Sequence, residues 1–141
     1  MQIARWLIAF VAIYNFGGLL FDFVLPRTRR MHIYNPSWPP HAKFHNGQTM
    51  LLGIILGTLT LTILFAVHPL TLPMFLVAAA TGGAYFVAMT LAPIFPHTAW
   101  VDPEFAAEGP KPFGLNYQQF VTYVMDALLV AALALAALLP V

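Results

Sequence analysis

Few side chains in this sequence can do chemistry, and they gather in three places. In PPHAKFHNGQ, His41 and His45 stand at i and i+4, so on a helix their imidazoles share a face and can pass a proton or share a metal ion. In YQQFVTYVMDALL, Gln119, Thr122, Tyr123 and Asp126 fall at i, i+3, i+4 and i+7 and form one polar stripe that ends in a carboxyl group. In IYNFGGLLFDF, Asn15 and Asp22 stand at i and i+7 and share a face. Such a set suits general acid/base catalysis. Asp126, His41, His45 and Asp22 are the candidate proton carriers, and Asn15, Tyr85, Gln119, Tyr123, Trp38 and Asn35 the candidate substrate contacts.

Each of these groups also has a purely structural reading. A protonated Asp126 bonded to Asn15 or Tyr85 is interhelical glue worth about 1 kcal/mol. Asp22 can pair with Arg27, Arg29 or Arg30, and Tyr34, Trp38 and the imidazoles can form an interfacial belt. Ionisable groups inside hydrocarbon are costly and rare, which favours function for Asp126. No cofactor is expected outright, but a divalent metal is left open. Its ligands would be His32, His41 and His45, completed by Asp22 or an acid of the second long loop, a set suited to zinc, iron or manganese.

The elements that must position these residues follow from composition. Of 141 residues, 60% are hydrophobic and only 8% charged, against about a quarter charged in soluble domains. Four apolar stretches, Arg5–Leu25, Gln48–Val67, Leu70–Phe95 and Tyr117–Leu139, each reach the roughly 20 residues needed to cross a bilayer. They predict an all-α fold: one transmembrane domain over residues 1–141, a four-helix bundle. The first stretch is too long for a signal peptide and carries no A-x-A site, so it is read as a retained helix. A net charge of +1 argues against nucleic acid, and the absence of cysteine removes disulfides and thiolate chemistry. The expected partners are the lipid bilayer and a lipophilic small-molecule substrate, and a homo-oligomer is compatible with the sequence.

Hairpin connectivity places the two long loops, Pro26–Gly47 and Pro96–Asn116, at one end and the His68-Pro69 turn with both termini at the other. Arg27, Arg29, Arg30, Lys43 and Lys111 lie at the loop end against Arg5 opposite, which predicts cytoplasmic loops and external termini, as in a bacterial inner-membrane protein. Pro39 and Pro40 suit a helix start, with Ser37 as its cap. The second loop holds three of the five acids and can either dock on the basic first loop as a lid, through loop-to-loop ion pairs, or serve as a solvated connector. Counting about ten residues, or roughly 15 Å, inward from the loop end places Asn15, Thr58, Tyr85 and Asp126 at one depth. A polar pocket floored by Asn15, Tyr85 and Asp126 is the expectation.

The motif HIYNPSWPPHAKFH, followed by a glycine-bearing apolar helix, resembles the signature of a family of uncharacterised small four-helix membrane proteins that share a domain of unknown function. The resemblance covers His32 to about Gly57 and implies a fold without an assigned activity. The residues themselves point to a membrane enzyme that moves protons on a lipophilic molecule, as an isomerase, cyclase or hydratase does. A metal-dependent oxidoreductase or hydrolase and a non-catalytic lipid-binding or transporter-accessory protein are the alternatives.

Overall fold

The computed structural model describes residues 1–138, and the expected end of the last helix at Leu139 lies outside them. Every secondary-structure element among the described residues is helical, without strands. Four segments are long and apolar enough to span a membrane: Gln2–Val24, Pro40–Ala66, Leu72–Ile94 and Tyr117–Leu138. The first is not one helix. It consists of α1 (Gln2–Tyr14), a short α2 (Gly17–Leu19) and a π turn (Leu20–Val24), followed after Leu25 by α3 (Pro26–Arg29). Then come α4 (Pro40–Ala66), α5 (Leu72–Leu91) with a 3-10 turn at Ala92–Ile94, and α6 (Tyr117–Leu138).

The start of α4 at Pro40 follows from proline chemistry, since a fixed φ and a missing N–H suit the first helical turn. Its N-cap is Pro39 without a side-chain bond, so Ser37 does not act as the cap. Ser37 instead donates its backbone N–H to Asn35 Oδ1 at 2.8 Å. Thr71 does cap α5, accepting from the N–H of Met74.

Each helix buries one narrow stripe and exposes large apolar side chains elsewhere, as lipid-facing helices do. On α1 the stripe is Ala4, Ile8, Val11 and Ala12, and on α5 it is Phe75, Ala78, Ala79, Gly82, Gly83 and Phe86. Trp6, Ile13, Leu51 and Ile55 face outward. α1 and α5 touch each other and both outer helices, α4 and α6, so these two form the short diagonal of the bundle.

Hydrocarbon supplies no hydrophobic drive between helices, so contact here depends on close backbone approach. At Gly53 a Cβ would lie 2.5 Å from the Asn15 carbonyl oxygen, and at Gly57 it would lie 2.7 Å from that of Ala12. These two glycines, at i and i+4 on α4, let it press directly on the end of α1. Asn15, 1% exposed, ties in the third helix by donating from Nδ2 to the Gly82 carbonyl at 2.9 Å. Thr60 and Thr81 join α4 to α5 through hydroxyls 2.8 Å apart: one donates to the other, which in turn donates to a carbonyl of its own helix.

Both long loops lie at the same end and dock on one another. Trp38 donates from Nε1 to Asp102 at 2.9 Å, and Asn35, 1% exposed, donates from Nδ2 to Glu104 at 3.1 Å. Arg30 pairs with Glu108 and lies over the Phe105 ring. All three acids of the second loop are therefore met by a residue of the first. The exposed ion pair adds little, whereas the buried amide of Asn35 ties its own Asx turn to the second loop.

Replacing Gly53 or Gly57 with alanine should cost about 1–3 kcal/mol, because the facing atom is backbone and cannot rotate away. Gly47→Ala, with open space around it in the same helix, should stabilise by about 0.5–1 kcal/mol. Thermal unfolding in detergent separates the three variants, and identical curves would contradict the α1–α4 contact. Asn35→Ala should cost about 1–3 kcal/mol locally. It should speed hydrogen exchange at the N–H groups of Phe105 and Glu108, which are bonded inside the docked loop.

Candidate functional site

Between the loop layer and the membrane-spanning helices lies a cavity of about 420 Å3, within the range of small-molecule sites. Its apolar wall is formed by Phe21, Met31, Phe86, Met89, Val101 and Val121. Its polar wall includes Tyr14, Asp22, Thr28, His32, Tyr85 and Tyr117. Such a lining, mostly apolar with a few converging polar groups, suits a lipophilic molecule that carries a polar end.

The cavity exists because the first span breaks. α1 stops at Tyr14, and Gly17 and Gly18 carry the chain into the π turn, which widens the helix where Asp22 leaves it. Gly18 lines the cavity, and a Cβ there would lie 3.4 Å from the Tyr85 hydroxyl. Asp22 turns inward. Its Oδ2 accepts from Asn46 Nδ2 at 2.8 Å, and its Oδ1 lies 3.5 Å from His32 Nδ1. The partner of Asp22 is thus the imidazole rather than Arg27, Arg29 or Arg30.

His32 Nδ1 also lies 3.1 Å from the Thr28 carbonyl oxygen. A carbonyl can only accept, so Nδ1 carries the proton and Nε2 is left as the basic nitrogen. Thr28 is anchored in turn by its hydroxyl, which donates to the Phe21 carbonyl at 2.5 Å. Asp22, His32 and Thr28 thus form one connected unit that spans the π turn and α3.

The pocket floor expected at Asn15, Tyr85 and Asp126 takes a different form. Tyr85 lines the cavity, while Asn15 and Asp126 do not. Asp126 lies on the seam between α5 and α6, where its Oδ2 accepts from the Thr90 hydroxyl at 2.5 Å. The reason is rotational. α6 faces the cavity with Gln118, Val121 and Thr122, and at about 100° per residue Asp126 is turned roughly a quarter circle from that face. Asn15 lies among the packed helices, held to Gly82.

The other sequence candidates are distributed as follows. His41 and His45 are outside the cavity, exposed on the first turns of α4, with their Nε2 atoms 3.1 Å apart. Asn46 beside them is the residue that turns inward to Asp22. Gln119 bonds reciprocally with Asn116: its N–H donates to Asn116 Oδ1 at 2.9 Å, and its Oε1 accepts from the Asn116 backbone N–H at 3.2 Å and from Asn116 Nδ2 at 2.8 Å. This is a capping box for α6, legible as Asn-x-x-Gln. Tyr123 is exposed and meets the Trp100 ring edge-on at 5.9 Å. Trp38 and Asn35 bind the second loop and are not part of the cavity lining.

The would-be metal set of His32, His41 and His45 does not form one cluster. No group of three or more histidines and acids converges among the described residues. Sequence reasoning left His32 out of the proton-carrying set and missed Tyr14, Tyr117 and Thr28 as cavity residues. Thr28 and His32 at i and i+4 were the available signal. Nothing in the spacing connects them to Asp22 across the helix break.

Comparisons with curated proteins and with solved structures return no match. A family of unknown function, DUF6640, matches residues 23–138, from within the π turn to the end of α6, and the chain belongs to that family.

Proposed function

We propose that this integral membrane protein is an enzyme that moves a proton on a lipophilic small molecule, with an isomerase, cyclase or hydratase type of reaction. The observation that carries the reading is that the paired Asp22 and His32 and the Tyr85 side chain all line one largely apolar cavity of about 420 Å3. Asp22 as proton carrier and Tyr85 as substrate contact are retained from the sequence-based set, while His32 takes the work assigned there to Asp126, His41 and His45.

The division of roles follows from the bonds. The Asp22 carboxylate and the Thr28 carbonyl hold the imidazole of His32 in the Nδ1–H form. Nε2 is then free to take a proton from a carbon or oxygen of the substrate. The released electron pair moves toward an electronegative atom of the substrate, which the Tyr85 hydroxyl supports by donating a hydrogen bond. Return of the proton at a different atom completes an isomerisation with no net change in protons. Trp100, Val101, Glu108, Gly109 and Pro110 of the second loop form part of the cavity wall.

The cationic residues Arg27, Arg29, Arg30 and Lys43 support a placement of the loop end in the cytoplasm, with the termini outside, as in a bacterial inner membrane. The cavity then opens near the cytoplasmic interface, a depth suited to a molecule with an apolar body and a polar head.

Untargeted mass spectrometry of protein purified in mild detergent should find a lipophilic molecule bound, and Val121→Trp, which fills the cavity, should lose it. Incubation with a total lipid extract should convert one species. Asp22→Asn, His32→Gln and Tyr85→Phe should slow that conversion by about 10²- to 10⁴-fold while still retaining the ligand. Asp126→Asn, which preserves the bond to Thr90, should stay within tenfold of wild type. A bound molecule that emerges unchanged from every incubation would leave a binding protein in place of an enzyme.

A further inference from the structure

The HxxxH pair that the cavity does not use has its own geometry. His41, His45 and Gln48 stand at i, i+4 and i+7 on α4, all exposed on the turns that project beyond the apolar part of the helix. His45 Nδ1 lies 3.1 Å from Gln48 Oε1, so the amide oxygen accepts from Nδ1–H and His45 Nε2 carries a lone pair. That lone pair faces His41 Nε2 at 3.1 Å, with the ring centroids 4.5 Å apart and the rings nearly perpendicular.

We infer that His41 and His45 form a two-imidazole chelate for a divalent transition ion such as Zn2+ or Cu2+, oriented by Gln48 and separate from the cavity. The bite supports it. An ion about 2.05 Å from each nitrogen sees a 3.1 Å separation as an angle of roughly 98°. This lies between the right angle of square-planar coordination and the tetrahedral angle, so an ion fits without rotation of either helical turn. Imidazole nitrogens are the preferred donors of both metals, and Gln48 supplies the hydrogen bond to the remote ring nitrogen that metal-binding histidines commonly have. Because both side chains are exposed, water completes the coordination.

The exchange balances. Without the ion, His41 Nε2–H donates to His45 Nε2. On binding, His41 shifts its proton to Nδ1, no proton is lost from either neutral ring, and both Nε2 lone pairs bond to the ion.

The test is titration of the full chain, purified without a polyhistidine tag, with Cu2+ followed by electron paramagnetic resonance and with Zn2+ followed by calorimetry. One ion per chain is expected, with nitrogen superhyperfine splitting from two imidazoles. His41→Gln and His45→Gln should each abolish the signal, and Gln48→Leu should weaken binding by about 10- to 100-fold. Asp22→Asn should leave the affinity unchanged, which separates this site from the acid/base chemistry proposed above. Circular dichroism checks that each variant keeps its helices. Saturable binding that survives either histidine substitution, a spectrum showing one imidazole, or no saturable binding would overturn the inference.

Discussion

Two helices can approach in hydrocarbon only as closely as their side chains allow, and in this protein the limit is set where α4 crosses α1. The carbonyls of Ala12 and Asn15 occupy the space where Gly57 and Gly53 would otherwise carry Cβ atoms. This crossing lies at the point where α1 ends, and Asn15 at the same point reaches across to the backbone of α5. Three helices thus converge on one residue. The π turn and α3 continue from that fixed point, so the cavity inherits its shape from the crossing below it.

Polar groups within the spans divide by task, and their bonds show the division. Thr122 donates its hydroxyl to the Gln118 carbonyl of its own helix, and one hydroxyl of the Thr60–Thr81 pair donates likewise, a local arrangement that a hydrocarbon setting requires. Asp126 with Thr90, and Asn15 with Gly82, fasten one helix to another. Asp22 differs because it leaves a widened helical turn, meets an imidazole from a different segment and faces open volume. Location beside empty space, rather than polarity alone, distinguishes the candidate reactive groups from the fastenings.

The four spans were legible because length and apolarity are properties of each stretch by itself. The start of α4 was legible in Pro39 and Pro40; the opposite charges of the loops account for only the Arg30–Glu108 pair, since Trp38 and Asn35 meet the other two acids. The break in the first span was not expected, although Gly17 and Gly18 mark the place, because a π turn depends on what packs around it. Polar periodicity located the stripe on α6 but not its direction: Thr122 lines the cavity, whereas Gln119, Tyr123 and Asp126 do not. The pairing of Asp22 with His32 crosses a change of helical type, so no fixed period could connect the two residues.

α4 contains 27 residues, about 40 Å of helix against a hydrocarbon slab of roughly 30 Å. Its surplus turns form a mast that stands in the headgroup region, and Asn46 on that mast grips Asp22. The acid of the cavity is thus held by a residue of those surplus turns, on the same helix that is fixed against α1 at its glycine crossing.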